Sequence, residues 1–303
     1  MFERRGLVIL ALLIGLLTSA CGGDGDSDPN AGSESAGDCK APFQQAFSDV
    51  QAYPVFANTE TSVGENRFLV GIQNTDDAPM AAPEINVSIE FYDLNSCPAE
   101  ATSSEDMQFF WTIKPVVGLY RTMATFDQPG IWGAEVTISG GGVEEKVKGS
   151  FEVLPESSTP ALGSTPPASD SPTADDAKDL AEISTDKNPD PAFYEVSIAE
   201  ALKAGKPFVV VFATPEFCQS QTCGPTLDIV KDVSKDFPKV TFIHVEPYVL
   251  PADPNALEPA PTGVEWGLPS EPWVFVMDEK GKVVAKYEGA IAPEELEEAL
   301  ADF

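Results

Sequence analysis

From residue 67 to residue 153 the chain alternates between apolar and polar positions. Ile85, Val87, Ile89 and Phe91 are interleaved with Asn86, Ser88, Glu90 and Tyr92, the period of two that gives a strand one buried and one solvated face. Residues 67–73, 119–126, 132–138 and 146–153 read as further strands. Asp127-Gln128-Pro129-Gly130 and Gly140-Gly141-Gly142 divide them, since proline presets φ and glycine admits left-handed backbone. Several short strands in roughly 110 residues predict an all-β sandwich, placed at residues 41–156.

After residue 197 the period changes. Ser197-Ile198-Ala199-Glu200 has the form of a capping box and Gly205 supplies a stop, so a short helix is expected between them. Residues 208–212, F-V-V-V-F, are apolar without interruption, which is how a strand covered on both faces of a parallel sheet reads. Leu227, Val230, Val233 and Phe237 then recur at near-helical spacing. Pro225 suits the first helical position, where its missing N–H costs nothing, and this places Cys223 at about the N-cap. Residues 240–245 form the next strand. An α/β domain over residues 177–303 is therefore expected to follow the sandwich.

Composition separates these parts. Residues 22–40 are chiefly Gly, Ser, Asp and Asn and predict a flexible tether, and the Pro/Ser/Thr-rich residues 157–176 predict a linker between two folded domains. Residues 1–21 form a targeting segment, with Arg4 and Arg5 ahead of an apolar core at residues 7–17 and Thr18-Ser19-Ala20 before Cys21. The core is short for a membrane span. A cysteine directly after small residues resembles a bacterial lipoprotein cleavage site, which implies that Cys21 is lipidated, with acyl chains such as palmitate holding an extracytoplasmic protein at the cell membrane. The plain alternative is an ordinary cleaved signal peptide with Cys21 as a bystander.

The chain carries 18 Lys and Arg against 49 Asp and Glu, a net charge of −31. Phosphate binding needs clustered cations, so nucleic acid is excluded as a partner. With Cys21 assigned to lipid, four of the five cysteines remain. Cys39 and Cys97 flank or lie within the sandwich and are expected to form a structural disulfide in an oxidising compartment. Cys218 and Cys223 sit where the apolar strand leads into the helix. A helix N-terminus favours the thiolate, so this placement points to redox or metal chemistry, with an inert structural bridge as the bland reading.

The residues F-A-T-P-E-F-C ending at Cys218, followed by C-G-P at Cys223-Gly224-Pro225, resemble the active-site region of thioredoxin-fold proteins. The stretch W-G-L-P-S-E-P-W-V-F-V-M at residues 266–277 is similar to the family's second signature, in which a cis-proline precedes a central antiparallel strand; Pro272 matches that proline. Asp278-Glu279-Lys280-Gly281 then forms a turn into residues 282–287, and residues 291–303 supply a closing helix, as the family would. The resemblance covers residues 179–303. The pair departs from the usual C-x2-C: it is C-x4-C, and Thr226 occupies the resolving position. Residues 118–136, with Leu119-Tyr120-Arg121 and Gly130-Ile131-Trp132, resemble the late hairpin of immunoglobulin-like domains of bacterial surface proteins, a likeness of fold that carries no function.

The resemblance implies thiol–disulfide exchange on exported proteins that bear thiols or disulfides, with Cys218 or Cys223 attacking, the other resolving, Pro272 holding the substrate backbone, and no cofactor. The helix dipole favours Cys223 as the more acidic thiol, whereas the motif assigns attack to Cys218. A second reading is a Cu(I) site of Cys218, Cys223 and His244, similar to the ligand set of thioredoxin-fold copper chaperones. His244 is the single histidine; at period two it shares a strand face with Val240 and Phe242, which favours a packed, hydrogen-bonded role. A third is a thioredoxin-like interaction module whose bridge braces a loop. Glu271, ahead of Pro272, would repel a thiolate or attract a cation. Residues 246–263 form a proline-rich insertion expected to overhang the site, and Glu246, Trp266 and Trp273 line the cleft or belong to the core.

Overall fold

Alternation along the N-terminal strands is resolved by two antiparallel four-stranded sheets. The computed structural model describes residues 39–44 and 50–303; the targeting segment, nearly all of the tether and Cys21 lie outside the described residues. Strands β1 (Ala52–Phe56), β2 (Gly64–Asn74), β5 (Gln108–Ile113) and β6 (Val117–Phe126) form one sheet in the order β1-β2-β6-β5. Strands β3 (Ile85–Asp93), β4 (Ala101–Asp106), β7 (Gly130–Gly140) and β8 (Val143–Val153) form the other, in the order β4-β3-β7-β8. Phe68, Val70, Ile72, Tyr120 and Phe126 from the first sheet share one core with Ile85, Val87, Ile89, Phe91, Trp132, Val136 and Ile138 from the second. Phe68 meets Phe91 edge to face, with centroids 5.0 Å apart. The β7–β8 hairpin pairs Gly140 with Val143 and turns through Gly141 and Gly142 at φ 61° and 88°, the left-handed pair a two-residue hairpin loop requires. Cys39 and Cys97 are joined by a disulfide, with Cα atoms 5.7 Å apart.

Strands β1, β4 and β5 have no counterpart in the sequence expectation. Alternation is missing because β4, A-T-S-S-E-D, buries nothing: it is an edge strand held by pairing with β3. β1 is the other sheet's edge, where Pro54 leaves no gap in a central ladder.

The C-terminal sheet contains β9 (Phe208–Phe212), β10 (Thr241–Val245), β11 (Trp273–Met277) and β12 (Val283–Glu288) in the order β10-β9-β11-β12. β10 runs parallel to β9, and β11 runs antiparallel to both β9 and β12. The continuous apolar run of β9 is explained by its two covered faces. Val209 and Val211 pack into the core beneath α2 (Cys223–Ser234) and α4 (Pro293–Leu300), whereas Phe208, Val210 and Phe212 pack with α1 (Ile198–Ala204) and Trp266 on the other side. Helix α3 (Pro261–Glu265) lies just before Trp266. In α2, Thr222 is the N-cap, so Cys223 is the first helical residue and Pro225 the third rather than the first. Its missing N–H still costs nothing, because the first bond of the helix ladder is donated by Thr226 to the Thr222 carbonyl, 2.9 Å.

Residues 157–176, expected as a free linker, are instead a strap along the C-terminal part. Gly163 N donates to the Val283 carbonyl and Val283 N to the Ser164 carbonyl, 2.8 and 3.0 Å. Farther along, Ser169 Oγ accepts from Trp266 Nε1 at 3.2 Å, and Ser171 Oγ accepts from Ile198 N at 3.0 Å. Composition predicted disorder because small hydroxylated residues bury little apolar surface; here they serve as hydrogen-bond partners for groups the domain would otherwise leave unpaired. Among the described residues no helix is long and apolar enough to cross a membrane.

The described residues belong to one compact unit, in which β2 meets α4. Arg67 Nε and Nη2 donate to Glu295 Oε1 and Oε2 at 2.6 and 2.8 Å, and its Nη atoms also donate to the carbonyls of Glu288 and Ala290.

Candidate dithiol site

The loop between β9 and α2 brings the two cysteines together. Cys218 N donates to the Thr214 carbonyl (3.1 Å) and Gln221 N to the Cys218 carbonyl (3.3 Å), so the loop folds back on itself. Gln221 stands at φ 59° and reverses the chain. Cys223 N, the first N–H of α2, then donates to Cys218 Sγ at 3.2 Å. Ser220 Oγ is also 3.2 Å from that sulfur. Both cysteines are thiols, Cys218 half-buried and Cys223 buried.

This geometry separates the two thiols electronically. The hydrogen bond from the Cys223 thiol lowers the pKa of Cys218 most; the Ser220 hydroxyl and the backbone N–H groups of Cys223 and Thr222 add to it, burial opposes them, and the result is about 5. Cys223 is pushed up, because it donates to Cys218 and because it is buried. Of the two assignments the sequence left open, Cys223 by the helix dipole and Cys218 by the motif, these directions favour Cys218. Cys223 belongs to the helix, but the helix's free N–H points at Cys218, and the thiolate forms where the donors converge.

Pro272 follows Glu271 through a cis peptide bond and leads into β11. Glu271 turns its carboxylate to the pair: one of its oxygens and the two sulfurs all lie within 4.8 Å of one another. Tyr248, in the proline-rich insertion, donates to Glu271 Oε2 at 3.1 Å. Burial raises the Glu271 carboxyl, the Tyr248 hydrogen bond opposes this, and the charge of Cys218 adds to the rise.

The ligand set of Cys218, Cys223 and His244 is not assembled. Both ring nitrogens of His244 are engaged: Nε2 is 2.9 Å from the Ala213 carbonyl oxygen and Nδ1 is 2.6 Å from Tyr194 Oη. Burial drives its pKa down to about 4, so the imidazole is neutral and serves as an internal strut. The residues present therefore do not fit a copper site that includes the histidine. Glu246 is buried, with Oε1 accepting from Thr185 N at 2.6 Å and from the Thr185 hydroxyl. Its Oε2 has no hydrogen-bond partner among the described residues, and burial lifts its pKa to about 7. Trp266 and Trp273 are core residues, 1 % and 2 % exposed, packed around Phe275. Thr226 is buried with its hydroxyl donating to the Gly289 carbonyl, 3.4 Å. The residue that sequence reasoning missed is Tyr248; its place in an irregular insertion leaves no periodic signal, and only the fold sets it beside Glu271.

A family model described as a thioredoxin-like domain matches residues 194–303. No curated protein matches the chain. Among solved structures, a DUF4426 family protein from Pseudomonas aeruginosa is 14% identical, with 37% of this chain and 97% of that chain covered and a TM-score of 0.27. A beta-glucuronidase from Parabacteroides merdae is 12% identical over 38% of this chain and 15% of its own, TM-score 0.25. The PKD domain of the human VPS10 domain-containing receptor SorCS2 is 11% identical over 45% of this chain and 98% of its own, TM-score 0.18. Likenesses this faint say nothing of function, whereas the family match coincides with the strands and helices that build the dithiol site. Residues 194–303 are a thioredoxin-like domain.

Proposed function

We propose that the chain is an extracytoplasmic lipoprotein, anchored through acylated Cys21, whose thioredoxin-like domain exchanges thiols and disulfides on exported proteins. The observation that carries this reading is the convergence of the Cys223 N–H and the Ser220 hydroxyl on one half-exposed sulfur, Cys218, with the Cys223 sulfur within 4.8 Å of it. A low-pKa, accessible thiol with a second thiol close by is the arrangement exchange requires. In the reducing direction the Cys218 thiolate attacks one sulfur of a partner disulfide. That S–S bond breaks, the partner's other sulfur leaves as a thiolate and takes a proton, and a mixed disulfide forms at Cys218. Cys223 then gives up its proton and attacks Cys218 Sγ. The second partner thiol is released, and two electrons have passed from the pair to the partner. Oxidation of a partner dithiol is the same sequence reversed.

A groove of about 550 Å³ is lined by Glu216 and Phe217, the two residues before Cys218 in the chain, together with Leu250 and Pro251, and offers space for a partner segment. The β-rich part supports an immunoglobulin-like reading through strand order: β1-β2-β6-β5 and β4-β3-β7-β8 correspond to the ABED sheet and to the CFG sheet with one added edge strand. On this reading the sandwich holds the redox domain away from its anchor or binds a partner.

Serine variants test the chemistry. Cys218→Ser is expected to abolish turnover of a model protein disulfide, and Cys223→Ser to abolish turnover while accumulating a mixed disulfide on Cys218. Unchanged rates in both variants would sink the proposal, and trapping on Cys223 in the Cys218→Ser variant would reverse the assigned roles.

A further inference from the structure

The exchange chemistry uses the two sulfurs and leaves Glu271 without a task. A carboxylate there is costly for a thiolate mechanism, since it is half-buried and repelled by the charge it faces. The same three groups have the composition of a metal site: two sulfurs and one carboxylate oxygen, mutually within 4.8 Å. Donors bound to one tetrahedral zinc ion, at bond lengths of about 2.0–2.3 Å, stand roughly 3.6–3.8 Å apart. Closing the present spacing to that range needs a side-chain adjustment of about 1 Å or less.

We propose that Cys218, Cys223 and Glu271 form a zinc(II) site of two sulfurs and one oxygen, available when the cysteine pair is reduced. Thiolate pairs suit Cu(I) and zinc alike, and the carboxylate decides between them, because an oxygen donor is compatible with borderline Zn²⁺ and contributes little to soft Cu(I). Three protein ligands leave a fourth position open to water or to a further thiol. Tyr248 supplies the outer support that ligating carboxylates ordinarily have: its hydroxyl donates to Glu271 Oε2 at 3.1 Å. Cys218 and Glu271 are half-buried and form the entrance, whereas Cys223 is buried and forms the inner ligand. On binding, the ion takes the place of the protons the two thiols carry; these leave to solvent, both sulfurs become ligands, and no electron moves. A Cys218–Cys223 disulfide has no thiolate to offer, so oxidation of the pair and occupancy of the site exclude each other.

The site stands on geometry and does not depend on the exchange proposal. The test is a titration of the full-length protein, with Cys218 and Cys223 reduced and oxygen excluded, using Co²⁺ as the spectroscopic probe and Zn²⁺ as the competitor. One Co²⁺ per chain is expected, with sulfur-to-cobalt charge-transfer absorption that zinc abolishes and that the oxidised protein lacks. Glu271→Gln is expected to weaken binding by ~100-fold, and Tyr248→Phe, which removes only the outer hydrogen bond, by ~10-fold. Failure of the reduced protein to bind stoichiometrically overturns the site. Equal affinity in wild type, Glu271→Gln and Tyr248→Phe overturns the role of the carboxylate. The titration contains no disulfide substrate and is independent of the exchange assay: binding here with no turnover there would remove the exchange reading and keep the site, and turnover there with no binding here would do the reverse.

Discussion

Cys218 and Cys223 are the same residue type, joined by a hydrogen bond from the N–H of one to the sulfur of the other, yet their thiols are driven in opposite directions. Hydrogen bonds to a charged form favour it, and burial without them disfavours it. Cys218 collects the donors and Cys223 gives one away. A thiolate held this way stabilises the reduced pair and makes its disulfide the more readily reduced one. The pH sign follows directly: the thiolate of Cys218 is present above about 5 and is lost as pH falls through that value. Alkylation of Cys218 by iodoacetamide should therefore rise with a midpoint near pH 5 and be level at neutral pH. In Cys223→Ser, which replaces the thiol responsible for the largest part of the shift, the midpoint should move upward. A wild-type midpoint near the ordinary thiol value would remove the basis for assigning Cys218 as the attacking sulfur.

Helix α1 shows how the strap and the domain depend on each other. The first N–H groups of a helix have no partner within it. Here Ile198 N donates to Ser171 Oγ at 3.0 Å, Ala199 N to the Ser169 carbonyl at 3.0 Å, and Glu200 N to Ser197 Oγ at 3.3 Å. Two of these three acceptors come from the strap, which is why it is ordered although its composition is that of a linker. Ser171 is 1 % exposed, so Ser171→Ala leaves a buried donor unpaired and should cost about 1–3 kcal/mol. The checks are a lower urea midpoint at unchanged m-value and faster hydrogen exchange of the Ile198 amide. An unaltered midpoint would mean that the strap rests on the domain without supporting it.

Across the whole molecule the decisive contact is Arg67 with Glu295, both side chains 7% exposed. Surface pairs such as Lys235 with Asp232, 70% and 76% exposed, contribute close to nothing. The Arg67 pair is different in kind: it is bidentate and buried, and it runs from β2 of the sandwich to α4 of the thioredoxin-like domain. Burial lowers the guanidinium to about 10, with Tyr287 and Glu288 opposing, which leaves it charged at neutral pH. Removing one partner strands a buried charge. Arg67→Ala should therefore lower stability by about 3–5 kcal/mol in urea unfolding. A loss under about 1 kcal/mol would show that Arg121, 2.6 Å from the same carboxylate, suffices to neutralise it.

What local periodicity and turn chemistry dictate was already determined by the sequence alone. The F-V-V-V-F run reads as a strand covered on both faces, the Ser197–Glu200 box as the opening of a helix, and the alternation of Ile85 to Phe91 as a strand with one face to a core, and each is found so. The two cysteines and Pro272 were legible as a candidate site because the family signatures stand in order along the chain. The tertiary structure alone decided everything that depends on direction rather than spacing: which sulfur receives the helix N–H, that His244 turns both nitrogens inward, that Tyr248 reaches Glu271, and that residues 157–176 bind instead of swinging free. The reason is physical. Burial patterns repeat along a chain and can be read from it, whereas a hydrogen bond between residues far apart in sequence depends on where the packed elements point their donors.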